Sequence, residues 1–293
     1  MSKQRLVHPA FAQQVIERHG FSLKKQLGQN FLIDANILGK IIDAAAVSSE
    51  EGVLEIGPGI GTLTQELAEH AGQVVAIEKD DRLISVLFDT LQTYSNVHVE
   101  HGDVLDVDLK QIFATWFQGR KVSVVANLPY YITTPIVMRL LEERLPLHSI
   151  VVMVQKEVAE RMAAKPGGKD YGALSIAVQY YTRPAIVCKV PPSAFMPPPN
   201  VESTVIQLQV LSKPSVHLKD EALFFQVVKA SFAQRRKTLV NNLLHTPFLT
   251  LTKEQIQDIL AAVHIDLRQR GETLSLQDFA NLSNTIYNYK QHL

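Results

Sequence analysis

Apolar residues change their spacing along this chain, and the change divides it. A first helical segment opens at Asp34, an N-cap residue type, and sets Ile37, Leu38, Ile41, Ile42 and Ala45 on one face. From there to about residue 160, short apolar runs (Val53, Leu54, Ile56; Val74 to Ile77; Val97, Val99; Val122, Val124, Val125) alternate with segments of helical period. That alternation predicts an α/β fold with a doubly wound sheet. Gly167-Gly168-Lys169 marks a loop, and Tyr171 to Tyr181 reads as a further helix. Residues 185–190 and 203–211 alternate with period two and have no helical pattern between them, which predicts an antiparallel addition at the sheet edge. Beyond Ser212-Lys213-Pro214 the period is helical to the end. The expected organisation is a sheet domain over residues 1–212 and a small all-helical domain over residues 213–293.

Four successive apolar runs end in residues able to hold a ligand. Gly57, Gly59 and Gly61 follow the first run and precede a helical pattern, so backbone can approach a ligand where side chains would block it. Dinucleotide-binding loops read G-x-G-x-x-G, whereas here the third glycine comes one residue early, which favours a nucleoside without a pyrophosphate. Glu78 ends the second run, where a carboxylate can take both hydroxyls of a ribose. Asp103 ends the third, placed to accept from an adenine amino group. Asn127 ends the fourth. Taken singly, each is equally an ordinary turn glycine or a solvated loop acid, but in open α/β sheets ligands sit at the carboxyl ends of strands, and all four are there.

Asn127-Leu128-Pro129-Tyr130 carries the chemistry. An exocyclic amine on adenine has its lone pair delocalised into the ring and is a poor nucleophile until acceptors draw it toward tetrahedral geometry. The Asn127 side-chain oxygen and the Leu128 carbonyl suit that role, Pro129 stiffens the turn, and both acceptors favour the positive charge that develops on nitrogen. Tyr130 supplies a face for a base removed from its stack. These residues point to methyl transfer to a planar nitrogen.

The chain resembles the rRNA adenine dimethyltransferases of the KsgA (RsmA) type. The resemblance rests on Gln26-Leu27-Gly28-Gln29-Asn30-Phe31-Leu32, the loop Glu55 to Gly61, Glu78, Asp103, Asn127 to Tyr130, and Phe195-Met196-Pro197-Pro198-Pro199-Asn200-Val201-Glu202-Ser203. Ser231 to Leu239 and Arg270-Gly271-Glu272-Thr273-Leu274 also resemble that group more than its antibiotic-resistance relatives. The resemblance implies a Rossmann-like class I methyltransferase sheet and S-adenosyl-L-methionine as cofactor, with Asn30, Leu32, Gly57, Glu78, Asp103 and Asn127 lining its site. The implied substrate is a pair of adjacent adenosines in a hairpin near the 3′ end of small-subunit rRNA, and the Phe195 ring is expected to pack against the target base. The partner expected is immature 30S small-subunit rRNA, with no membrane and no metal, and the chain is expected to be a monomer. Alternatives are a resistance-type dimethylase of large-subunit rRNA, an assembly factor whose binding matters more than its catalysis, and a nicotinamide oxidoreductase, which the glycine spacing disfavours.

Net charge conceals the charge distribution. Twenty-nine basic and twenty-nine acidic residues cancel, yet residues 50–110 hold 3 of the former and 13 of the latter, so the remainder sums to +10. A basic face can then carry phosphate backbone on a neutral molecule. Lys24 and Lys25, and more strongly Arg235, Arg236 and Lys237 between the apolar Phe232 and Leu239, are the candidate RNA contacts. The single Cys188 excludes an internal disulfide, which indicates a reducing compartment. Met1 to Phe11 lacks the apolar stretch of a signal peptide and no run approaches a membrane span, so a cytoplasmic protein is expected.

Overall fold

The computed structural model of the protein describes residues 5–20 and 30–291. Its strands are β1 (Phe31–Leu32), β2 (Gly52–Ile56), β3 (Gln73–Glu78), β4 (Val97–His101), β5 (Val122–Asn127), β6 (Leu147–Gln155), β7 (Thr182–Val190), β8 (Phe195–Met196) and β9 (Ser203–Val210). Seven of them form one sheet in the order β4-β3-β2-β5-β6-β9-β7. The pairs β2 with β3, β3 with β4, β2 with β5, and β5 with β6 are parallel. The chain therefore runs outward from β2 to β4, then crosses back to β5 on the other side. A crevice opens at such a reversal, at the carboxyl ends of the strands.

The last two strands do not join the edge in sequence order. β9 pairs antiparallel with β6, and the earlier β7 lies outside it. Burial explains the choice: β9 is buried over Ser203 to Ile206, whereas β7 is largely exposed between its ends and carries Pro184, which lacks a ladder donor. The sheet is covered by helices whose apolar stripes the sequence predicted. Asp34 caps the helix Ala35–Ala45 by accepting from the Asn36 and Ile37 amides at 2.9 and 3.1 Å, and Ile37, Leu38, Ile41 and Ala45 are buried. Ile41 meets Val53, Val125 and Val151 in a common core. Burying side chains of this size stabilises by about 1.5–3 kcal/mol each.

The chain divides into two compact units, Met1–Ala159 with Pro184–Val210, and Glu160–Arg183 with Leu211–Leu293. The expected boundary at residue 212 is thus corrected: residues 160–183 belong with the helical unit. Aromatic packing decides it. Tyr180 and Tyr181 on the helix Ala173–Tyr181 donate to Glu221 at 3.0 and 2.7 Å, and the Tyr180 ring lies 5.6 Å from that of Phe224. Tyr171 donates to the Leu274 carbonyl at 2.9 Å. These interactions require chain forty to a hundred residues away, and no local periodicity foretells them. No helix among the described residues is long and apolar enough to cross a membrane.

Candidate active site

In the sheet unit, the ends of β2, β3, β4 and β5 surround a cavity of about 520 Å³. Gly57, Glu78, Asp103 and Asn127 all line it, as do Asn30, Leu32, Gly59, Leu128, Pro129 and Tyr130. Gly61 stands just behind, as the N-cap of the helix Thr62–His70. Four parallel strands in register bring together residues that are up to seventy positions apart in sequence.

The glycine loop has φ of +67°, +61° and +95° at Gly57, Gly59 and Gly61, which side-chain-bearing residues rarely adopt. Gly59 is constrained twice, because a Cβ there would lie 2.8 Å from the Phe31 ring. A Cβ at Gly57 would meet no atom within 4 Å, since the position faces the cavity. Glu78 is tied to this loop: its Oε2 accepts from the Gly59 amide at 3.3 Å and its Oε1 from the Asp80 amide at 2.8 Å. Burial holds its carboxyl above the usual range, against those two hydrogen bonds. A carboxylate has about four lone-pair sites, so it retains capacity for a ligand's hydroxyls.

Asp103 is more fully engaged than its sequence position implied. Its Oδ1 accepts from the Leu105 amide at 2.9 Å and its Oδ2 pairs with Lys79 at 2.6 Å, and the Lys79 ammonium holds its carboxyl low. At neutral pH it is an ionised acceptor on the cavity wall.

Asn127 is oriented from across the cavity. Its Nδ2 donates to the Asn30 carbonyl at 2.9 Å, and both residues line the cavity. Asn30 is itself placed by a two-stranded ribbon in which β1 pairs antiparallel with β8, Phe31 opposite Met196 and Leu32 opposite Phe195. The proline-rich segment therefore acts on the site through the backbone that carries Asn30 and Leu32. Phe195, whose ring is expected to pack against a target base, lies on β8 opposite Leu32. Phe195 is 3% exposed and sits in the hydrophobic core with Leu32, Val190 and Ala194, and it does not line the cavity. In the two-residue strand β8, one side chain must point inward to anchor the ribbon, and Phe195 is that one.

Tyr130 is held instead by the end of the same segment, its hydroxyl hydrogen-bonded to Ser203 Oγ at 2.6 Å. The turn beneath it is closed twice on the Pro129 carbonyl, which accepts from Ile132 N at 3.2 Å and from Thr133 Oγ1 at 3.1 Å.

Residues 20–282 match the family described as ribosomal RNA adenine dimethylase. The chain belongs to this family. It is 58% identical over 280 residues to the ribosomal RNA small subunit methyltransferase A of Geobacillus thermodenitrificans, covering 95% of this chain and 96% of the relative. The protein of the same description from Bacillus mycoides is 54% identical over 284 residues, covering 96% and 97%. Among solved structures, a dimethyladenosine transferase from Plasmodium falciparum superposes with a TM-score of 0.72 at 30% identity, over 86% of this chain and 95% of that one. The 23S rRNA methyltransferase ErmE, at 23% identity, shares the fold with a TM-score of 0.66, over 88% of this chain and 100% of that one. The sheet unit of this dimethylase is thus a class I methyltransferase fold.

Sequence reasoning missed one feature of this cavity. Glu55 lies inside the apolar run of β2, 1% exposed, and lines the cavity. Burial pushes its carboxyl from 4.5 up to about 8; the Thr64 hydroxyl opposes the shift and the Glu78 charge adds to it. Its Oε2 and the Thr62 Oγ1, also at the cavity wall, have no hydrogen-bond partner among the described residues. An acid at an inward position of an otherwise apolar strand was the available signal.

Of the candidate RNA contacts, Lys24 and Lys25 lie outside the described residues. Arg235, Arg236 and Lys237 are all exposed, in the helical unit, on the turn before the helix Leu239–Leu244. Leu239 is a fully buried anchor, while Phe232 is only half-buried, packing on Tyr171 and Phe279. Arg235 pairs with Glu272 at 3.1 Å. Gly271, next to Glu272, lets its backbone pass close to Ser231, where a Cβ would lie 2.7 Å from the Ser231 carbonyl.

Proposed function

We propose that the protein transfers methyl groups from S-adenosyl-L-methionine to the exocyclic N6 of two adjacent adenosines in a 3′-end hairpin of small-subunit (16S) rRNA, as a step of small-subunit biogenesis in the cytoplasm. The observation that carries this reading is the Asn127 amide, held by the Asn30 carbonyl on the wall of a cavity that Leu128, Pro129 and Tyr130 also line.

The cavity suits the cofactor on its own chemistry. Glu78 keeps acceptor capacity for the ribose, Asp103 is an acceptor for the adenine amine, Gly57 leaves open space, and Asn30 and Leu32 close the opposite side. The buried Glu55 Oε2 and Thr62 Oγ1 await polar partners, which a cationic, hydroxyl-bearing ligand provides. When bound, S-adenosyl-L-methionine supplies an electrophilic methyl group on a sulfonium.

The chain's own residues then act on the adenosine. Asn127 Oδ1 and the Leu128 carbonyl accept the two N–H groups of the amine, pulling its lone pair out of conjugation and stabilising the charge that develops. Tyr130 stacks on the base. The extra proton on the methylated nitrogen would leave to water, so no strong general base is needed among the chain's residues. A second round on the same nitrogen requires only one acceptor. In the helical unit, Arg235, Arg236 and Lys237, with Lys24 and Lys25 from the other, serve the rRNA phosphates.

The deciding experiment supplies radiolabelled S-adenosyl-L-methionine with separated, unmodified ribosomal subunits. Label is expected in the small-subunit RNA, as dimethyladenosine. Label confined to large-subunit RNA would establish the resistance-type alternative, and none in either would reject methyl transfer to rRNA.

A further inference from the structure

Tyr130 and Tyr131 are consecutive on one turn, both line the cavity, and they differ in exposure. Tyr130 is turned in and held by Ser203, whereas Tyr131 is 68% exposed. Among the described residues Tyr131 is the most exposed large hydrophobic side chain; Phe88 alone approaches it, at 66%, and Phe88 does not line the cavity. Its position is fixed by backbone, since the 3-10 turn Tyr130–Ile132 runs directly into the helix Thr133–Glu142 and is closed twice on the Pro129 carbonyl. Lys79, with its side chain 69% exposed and paired to Asp103, stands on the same cavity wall.

An aromatic ring held in water on a rigid turn needs a partner to explain it. A base that enters the cavity has left its stack, and the nucleotide beside it has lost a neighbour. We infer that Tyr131 is the platform on which the base flanking the target adenosine stacks, so that the two tyrosines grip two successive bases, one inside the cavity and one at its mouth. The inference rests on the proposed function above and deepens it, because it says how a single-stranded dinucleotide step is read. Stacking is blind to base identity, so Tyr131 contributes affinity and register, and the cavity contributes the choice of adenine.

The test compares Tyr131→Ala, Tyr131→Leu, Tyr131→Phe and Tyr131→Trp in steady-state methylation of unmodified small subunits, with cofactor affinity measured separately by calorimetry. Loss of one base–aromatic stack corresponds to roughly a 5- to 150-fold loss of affinity. The KM for subunits is expected to rise within that range in the Ala and Leu variants and to stay near the parent value in Phe and Trp. Cofactor Kd is expected to be unchanged throughout. Leucine fills similar volume without a π-face, so rescue by leucine would overturn stacking in favour of plain apolar packing, and an Ala variant with the parent KM would overturn any role in holding the substrate. If the unaltered protein methylates no rRNA, the parent reading fails as well; if it does and only the Tyr131 series is flat, this inference fails alone.

Discussion

The hydroxyls of Tyr130 and Ser203 lie 2.6 Å apart, across 73 residues of chain. Ser203 is fully buried at the start of β9, opposite Gln155 of β6, so the sheet that builds the cavity also fixes the Tyr130 ring on its wall. Ser203→Ala removes the partner of a half-buried phenol, a loss worth about 1 kcal/mol. The expected outcome is a fall of roughly fivefold in kcat with cofactor affinity unchanged, recovered by Ser203→Thr. Steady-state kinetics on small subunits checks both halves, and a Thr variant as slow as Ala would show that Tyr130 does not depend on this bond.

Asn127→Ala is expected to lower methylation by about 100- to 1000-fold, the usual effect of losing one transition-state acceptor. Cofactor affinity should stay within a few-fold, since in the proposed function Glu78 and Asp103 hold the nucleoside. Near-normal turnover would remove Asn127 from the mechanism. Asn127→Asp is a sharper probe, because it sets a carboxylate against the Asn30 carbonyl that the amide now serves at 2.9 Å. It should weaken cofactor binding as well as rate.

Glu55 makes stability depend on pH in a direction opposite to most carboxylates. Its folded value, about 8, lies above 4.5, so the native state keeps a proton that the unfolded chain has released. The associated stability is full below 4.5, declines by up to about 1.4 kcal/mol per pH unit through the window to 8, and is absent above it. Glu78 is raised as well and adds in the same sense. Urea unfolding between about pH 5 and 8 is expected to show this decline, and Glu55→Gln to flatten most of it. Parallel profiles for parent and variant would show that Glu55 is ionised in the cofactor-free protein.

Charge reversal separates two neighbours in the helical unit. Arg236→Glu should lower the salt slope of RNA binding by roughly 0.7 to 0.9 for each phosphate the protein no longer neutralises, without changing which base is methylated. Arg235→Glu also breaks the exposed pair with Glu272, which costs at most about 1 kcal/mol of stability. Filter binding over a salt series reads the slope, and an unaltered slope in both variants would make the cluster a solvated turn.

Local pattern determined the alternating sheet, the helix that Asp34 caps, the left-handed glycine loop and the four strand ends that meet at the cavity. Each depends on spacing of two or three to four residues, on a cap, or on glycine's missing Cβ, all of which are written in neighbouring positions. Tertiary structure alone decided what depends on distant partners. β9 took the place beside β6 and left β7, with the charged Arg183 and Lys189 and with Pro184, which lacks a ladder donor, at the edge, and Tyr171, Tyr180 and Tyr181 drew residues 160–183 into the helical unit. Phe195 went to the core because a two-residue ribbon needs an anchor, and Ser203 inherited the task of holding the aromatic ring. Glu55 stayed invisible as a buried acid because its burial comes from strands and helices packed around it, and no residue beside it in sequence announces the loss of water.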